Sequence, residues 1–507
     1  MRLHVDTLIV NAEIITLSSV TPTAYGLAIH NGKIVATLQP GDELNFDATV
    51  VIDVHQKTII PGLIDSHSHL QAIISEHFSI QIPRELQTNT AFYSFLKEKI
   101  STIPSGEWIR ISGYHPFHFP EVKPLTMEVL NQLSTSHPIR VRYVTRHTSV
   151  LNSEAWQQMM IKYPFSYMEG VYFEYDKENK PNGIIHGADT YLSEYIVSKI
   201  PPSKWLSAIK KLQLELLSYG ITAIQDASPT TSQEQLEIWL KAENQFWIIP
   251  IKWMSGSKYF DTLPQILENS NLYERGALKI VLEAAPEIYP EKHQIEQILF
   301  KAGLTKSTVA IHVVTPEMIW HVLDALQSVR KKNPNLYINC RLEHVSLCPK
   351  AFIEEMLIQQ VMVVTNPPFL FKHGDRYLSQ VEENEQNWLY PIQSFIEKGF
   401  VVAAGADAPV APISPWLGMY AACTRKSADG QVINLKESVS RDNALQLYTT
   451  GGAQVGQWEN RLGKLQLGFD ATFLILENNP LTCTLHQLKD MKVLETWIQG
   501  RKHYTYY

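Results

Sequence analysis

A chain of 507 residues is too long for one small core, so two or more domains are expected. Its composition, 45% hydrophobic and 19% charged, is that of an ordinary soluble globular protein, and its formal net charge of -7 argues against nucleic acid or an anionic membrane as the main partner. No run approaches the ~18 apolar residues that span a bilayer. Asp6 interrupts any N-terminal signal region. The four cysteines, Cys340, Cys348, Cys423 and Cys483, form no C-x-x-C pair and suggest free thiols in a reducing, cytoplasmic compartment.

Residues 1–58 read as β structure. Thr7–Val10 and Glu13–Leu17 are short apolar strands, and Leu27–Ile29 with Lys33–Ala36 flank Asn31-Gly32, a hairpin turn signal. Val50–Asp53 is another strand. The run Ile59–Ile64 then ends in Asp65-Ser66-His67-Ser68-His69. Residues i and i+2 of a strand share a face, so His67 and His69 point the same way at a strand end. That is the beginning of a metal site or, alternatively, a histidine pair in a surface turn.

From about 84 to 200 prolines and aromatics recur without a clean repeat, which reads as an insertion with its own helices and strands. After it the alternation is regular. Strands are expected at 221–226, 247–253, 278–282, 308–312, 339–344, 361–365 and 400–407. Helices are expected near 205–216, 233–243, 291–302, 316–331, 350–359 and 391–398. With the strand before His67 this makes eight strands, nearly all separated by helices. The expected fold class is α/β, a (β/α)8 TIM barrel, with a doubly wound open sheet as the alternative. β character returns at Leu462–Leu476, Val493–Gln499 and Lys502–Tyr504. The domain reading is therefore 1–58 and 462–507 as two parts of one small β-sandwich, with a 59–461 barrel between them that carries the 84–200 insertion between strands one and two.

Barrel active sites lie at the C-terminal ends of the strands. Strand one ends in His67 and His69, strand five in His312, strand six in His344 and strand eight in Asp407. Any one of these could be a hydrogen-bonded core residue, but together they converge on one rim. His and carboxylate ligands suit zinc, iron, manganese, nickel or cobalt, and not calcium.

These pieces resemble the amidohydrolase superfamily: Pro61-Gly62-Leu63-Ile64-Asp65-Ser66-His67-Ser68-His69, Ala310-Ile311-His312, Leu342-Glu343-His344 and Gly405-Ala406-Asp407-Ala408-Pro409-Val410. Arg146-His147-Thr148, Asn152-Ser153-Glu154-Ala155 and Ala421-Ala422-Cys423-Thr424-Arg425 resemble the branch of N-substituted formamide deformylases and related deacylases. The resemblance implies a divalent metal, zinc foremost, as one or two ions. It implies that His67, His69 and Asp407 hold one ion and that His312 and His344 hold the other. Lys279 would bridge them as a carbamate; a single metal with Lys279 or Glu283 only nearby is the rival. It further implies metal-assisted hydrolysis with Asp407 as general base and acid. His147 is a candidate contact to the substrate carbonyl or oxyanion, and Arg425 a candidate for a substrate anion. Two departures from the branch pattern are visible: Val313-Val314-Thr315-Pro316 after His312, and Ala406 before Asp407.

The expected activity is hydrolysis of a non-peptide carbon–nitrogen bond in a small molecule: an amide, N-formyl, N-acyl or cyclic amide. An ester, lactone or phosphoester hydrolase and an inactive ligand-binding barrel are the alternatives. Tyr114, Phe117, Phe119 and Trp416 are candidates for an apolar pocket or for core. A homodimer is the default assembly.

Overall fold

The computed structural model describes residues 2–83, 85–116, 119–143, 148–164, 171–197, 200–263, 267–268, 270–283 and 288–506. Eight strands form one sheet whose spatial order follows the chain. They are β1 (Leu63–Ser68), β2 (Ile221–Asp226), β3 (Ile251–Ser255), β4 (Tyr273–Val281), β5 (Val309–Val313), β6 (Cys340–His344), β7 (Met362–Thr365) and β8 (Val402–Ala404). Every ladder between them is parallel. Helices α1 (Pro202–Ser218), α2 (Gln233–Gln245), α3 (Lys292–Leu304), α4 (Pro316–Lys332), α5 (Lys350–Ile358), α6 (Pro368–Gln380), α7 (Ile392–Glu397) and α8 (Pro415–Thr424) alternate with them. Sequential parallel strands with interleaved helices make the TIM barrel. Its apolar layer runs from Leu278, Ile280, Val309, Ile311 and Leu342 out to Ile319, Val322 and Leu326 of α4.

The barrel closes where β8 meets β1. Asp407 donates its backbone N–H to the His67 carbonyl at 2.6 Å, and His69 donates to the Ala408 carbonyl at 2.9 Å. Gly405 makes this approach feasible, because a Cβ there would lie 2.8 Å from both Cα and Cβ of His67. Gly405→Ala is therefore expected to pry β8 from β1 and lower stability by about 1–3 kcal/mol, as overpacking does. A thermal midpoint equal to wild type would contradict this closure.

Two smaller sheets accompany the barrel. One has the order Lys33–Leu38, Gly26–His30, Leu3–Val10, Phe46–Asp53. The other has the order Arg501–Thr505, Val493–Ile498, Phe473–Leu476, Thr58–Pro61, Glu13–Ile15, Thr23–Ala24, so strands from both chain ends share it. Ile9, Leu27, Ile34, Ile59, Phe473 and Trp497 pack in one apolar cluster with strands of both sheets.

The chain divides into two compact units: Met1–Leu70 with Ile209–Tyr507, and Gln71–Ala208. The second has its own six-stranded sheet, ordered Tyr172–Tyr175, Pro181–His186, Thr148–Leu151, Ile139–Tyr143, Ile109–Tyr114, Ile80–Gln81. Among the described residues no helix is long and apolar enough to cross a membrane.

Strand three and helix α6 differ from the sequence reading. Strand three begins at Ile251 and not at Trp247. Pro250 has no N–H for a ladder, and the Trp247 indole donates to the Ile249 carbonyl at 2.6 Å, folding that segment on itself. Helix α6 is not among the helices expected from the sequence; proline occupies its first turn, where the missing donor is harmless. The aromatics divide as core: Tyr114 stacks on Phe119 within the 71–208 unit, and the buried Trp416 donates to the Tyr219 carbonyl at 3.0 Å. Phe117 lies outside the described residues.

Candidate active site

The ends of β1, β5, β6 and β8 bring His67, His69, His312, His344 and Asp407 together. The His67 ring centroid lies 5.4 Å from that of His69 and 4.7 Å from that of His344, and His312 lies 4.5 Å from His344. Asp407 Oδ1 is 2.9 Å from His69 Nε2 and 3.7 Å from His67 Nε2. His67, His344 and Asp407 each offer a ligand atom within 4.8 Å of the others. His344 and Asp407 hold left-handed backbones, with φ of 71° and 52°. That conformation is costly for a non-glycine residue and recurs where surrounding structure enforces it at functional sites.

What orients the imidazoles is as informative as their proximity. His67 Nδ1 faces the Glu343 carboxylate, which can only accept when ionised, so Nδ1 carries the proton. His344 Nδ1 is 2.7 Å from Asn366 Oδ1, and Asn366 donates its amide to the Gly405 carbonyl at 3.0 Å. That second bond fixes which Asn366 atom faces the ring, so His344 Nδ1 is also the donor. His69 Nδ1 sits 3.1 Å from Ser228 Oγ. In His67 and His344 the Nε2 lone pair is therefore left free of a proton. Burial, then the charge of Lys279, pushes His67 down to about 4 against the pull of Glu343. Burial and Lys279 push His312 down to about 3. Burial with His312 and His67 holds His344 well below the usual imidazole range.

The carboxylates follow a second pattern. Glu343 is fully buried, which alone would raise it, but Arg341 and Lys279 hold it well below the ordinary value. Arg341 donates to Glu343 Oε1 at 2.5 Å, to Gln225 Oε1 at 2.6 Å and to the Ser66 carbonyl at 2.9 Å. Burial likewise works against Asp407, yet the bond from His69 and the nearby His67 and His344 keep it below its ordinary range. Asp65 accepts from the His67 N–H at 2.9 Å and the Ala406 N–H at 3.0 Å, and burial still pushes it up to about 7. The Ala406 position contributes its backbone amide here, a duty indifferent to its side chain. Thr315, in the other departing segment, caps α4 by accepting from the Met318 N–H at 3.4 Å.

Lys279 lies in β4 beside Ala310 of β5. It is 4% exposed, and its Nζ has no hydrogen-bond partner among the described residues. Burial pushes it below the usual lysine range, with Glu343 pulling the other way. Glu283, by contrast, is exposed. Arg425 corrects the sequence reading: it is fully buried, and it donates to the carbonyls of Ile433, Tyr390 and Leu389 at 2.9, 2.9 and 2.6 Å. Those bonds tie loops together and leave the guanidinium away from any substrate anion. His147 lies outside the described residues.

A pH dependence follows from these groups. An imidazole depressed from 6.5 binds fewer protons folded than unfolded, so its contribution is complete above 6.5 and is lost as pH falls towards 4 for His67 and 3 for His312. Asp65, raised to about 7, acts with the opposite sign over that window, and Asp226, also raised, shares its sign. Three depressed imidazoles outweigh two raised carboxylates, so the metal-free protein should lose thermal stability between pH 6.5 and 4. A midpoint that rises on acidification, read by scanning fluorimetry, would contradict this balance.

Comparison with known proteins agrees with the fold. The amidohydrolase family model matches residues 50–504. The chain is 25% identical to an N-substituted formamide deformylase of Arthrobacter pascens, over 98% of both chains. It is 24% identical to the putative amidohydrolase YtcJ of Bacillus subtilis (strain 168), over 89% of this chain and 90% of that one. An uncharacterized metal-dependent hydrolase from Pyrococcus horikoshii has the same fold, with a TM-score of 0.78 at 20% identity, covering 95% of this chain and 99% of the other. An uncharacterized metal-dependent hydrolase from Pyrococcus furiosus gives 0.75 at 21% identity over 94% of this chain and 100% of the other. The chain belongs to the amidohydrolase family and is a hydrolase.

Proposed function

We propose that this hydrolase cleaves a carbon–nitrogen bond other than a peptide bond in a small molecule, with a divalent metal, zinc foremost, held at the rim of the barrel. The observation that carries the reading is the fixing of His67 and His344 through Nδ1, by Glu343 and Asn366, which leaves their Nε2 lone pairs for a cation. Neutral imidazoles and an ionised Asp407 are the protonation states that metal ligands need. His67, His69 and Asp407 would hold one ion, and His312 and His344 a second.

The orphaned Lys279 Nζ supports a bridging carbamate. Its burial favours the neutral amine. That amine would attack carbon dioxide, form an N–C bond and release a proton, giving a carboxylate between the two ligand groups. A divalent cation at such a site lowers the pKa of water from ~15.7 towards ~7 and polarises a carbonyl. Asp407 would take a proton from the attacking water on its carboxylate and return it to the leaving nitrogen. Its left-handed backbone, tied to the His67 carbonyl, aims that carboxylate at the histidines.

The Arthrobacter relative, an N-substituted formamide deformylase, places N-formyl amines first among the substrates to try. The test is amine release from matched N-formyl, N-acetyl and cyclic amides, with the corresponding esters alongside. Amide hydrolysis that stops after metal chelation and returns with zinc is the expected result. Hydrolysis of esters alone would overturn the bond assignment. Lys279→Met should lower bound metal by about one equivalent per chain; unchanged metal content would overturn the bridge.

A further inference from the structure

A cavity at the N-terminal end of the barrel strands lies at the opposite end from the histidine rim. Strand alternation builds it. In β3, Trp253 turns outward onto Trp239, with ring centroids 5.2 Å apart, so Lys252 turns inward. In β6, Cys340 and Leu342 belong to the large apolar cluster, so Arg341 turns inward. Gln225 of β2 is level with Lys252 and accepts from Arg341 at 2.6 Å. The turn Val455-Gly456-Gln457 lines the same cavity. Gly456 permits that approach, because a Cβ there would lie 2.9 Å from Gln225 Nε2.

None of the residues lining this cavity is a carboxylate, and four are cationic: Lys252, Arg275, Lys306 and Arg341. Two of the four are engaged elsewhere. Arg341 donates to Glu343, Gln225 and the Ser66 carbonyl, and the Arg275 guanidinium lies over the Phe260 ring at 4.9 Å. The donors left to the cavity come from the other two and from a hydroxyl. Lys252 is buried and has three N–H groups. Its acceptor is Glu274 Oε2 at 3.2 Å, and the Trp458 ring lies 5.3 Å to another side. That carboxylate is shared, because Glu274 Oε1 also accepts from Arg461 and from the Trp458 indole, both at 2.9 Å. Thr308 Oγ1 accepts from Asn339 Nδ2 at 2.9 Å and Gln457 Nε2 at 3.3 Å. Both lone pairs are then filled, so its own proton is left to donate. Lys306 is exposed at the mouth and has no ion pair among the described residues.

Size narrows the ligand. The cavity holds about 70 Å³. At roughly 10–15 Å³ for each water-sized occupant, that is room for a handful of non-hydrogen atoms. An organic ring does not fit, and an ion of the size of phosphate or sulfate does. We infer that this cavity binds a free tetrahedral oxyanion, held by the Lys252 ammonium and the Thr308 hydroxyl with Lys306 at its mouth. None of these three residues belongs to the histidine, lysine and aspartate set at the rim, so the inference stands apart from the proposed reaction.

The test is calorimetric titration of the full chain with inorganic phosphate, and with sulfate and phenyl phosphate for comparison. Phosphate and sulfate should both bind, and phenyl phosphate should bind at least ~10-fold more weakly. Lys252→Met should weaken phosphate binding at least ~10-fold, the value of one hydrogen bond to a charged group. Lys306→Glu, at an exposed position, should weaken it as much while the thermal midpoint is kept. The His67→Asn/His69→Asn double variant should retain the site at wild-type affinity. No binding at millimolar phosphate, equal binding of phenyl phosphate, or affinity unchanged in both lysine variants would each overturn the site. Binding lost only in the histidine double variant would overturn it too, since this would place the anion at the rim.

Discussion

Asp407→Asn should lower kcat by about 10²–10⁴-fold, the range that a positioned acid–base group supplies. The substitution isolates the chemistry unusually well. Position 407 has φ 52°, and asparagine is the side chain after glycine that best tolerates the left-handed region. The size is unchanged, and the N–H bond to the His67 carbonyl is made by the backbone. What disappears is the carboxylate, which His69, His67 and His344 hold in its ionised form against the cost of burial. Measuring metal content on the same sample separates the two proposed duties. A slow variant that keeps its metal points to proton transfer, and one that loses metal points to ligation. A variant with wild-type kcat would remove Asp407 from the mechanism.

The largest stability effect should come from Arg341→Met. Glu343 is entirely buried, and Arg341 is its principal counter-charge. Removing that guanidinium strands an ionised carboxylate in the barrel interior and leaves Gln225 Oε1 and the Ser66 carbonyl without their donor. Loss of one partner from a buried pair typically costs about 3–5 kcal/mol, and that is the expected loss. Combining it with Glu343→Leu should restore part of the stability, because removing both charges avoids the stranded one. The same double variant should still lose activity, since His67 Nδ1 then has no carboxylate to orient it. A single variant as stable as wild type would show that Glu343 is solvated or neutral.

How far the sequence reaches is clear from particular residues. The eight strands and the rim histidines are legible because buried parallel strands are continuous apolar runs and the active end of a barrel is always the C-terminal one. Glu343 stands beside His344 in the motif, where the motif alone assigns it no duty. The signal was present: Arg341 and Glu343 alternate with Cys340 and Leu342, so two ionisable side chains share one face of a buried strand. Such a pair has to meet each other or a third charge. What hides the link to His67 is distance along the chain, 276 residues, which no local pattern spans. Asn366 is similar: it precedes two prolines and reads as a loop, yet it sets the tautomer of His344. Arg425 shows the opposite error, a charge in a suggestive motif whose three guanidinium nitrogens each donate to a backbone carbonyl.

The most direct test of the central claim is elemental analysis of the purified, folded chain beside its His67→Asn/His69→Asn double variant. The account predicts one to two equivalents of a divalent transition metal per wild-type chain, and clearly less in the variant, with hydrolytic activity following the metal. A folded wild-type protein that hydrolyses amides while holding no such metal would contradict it.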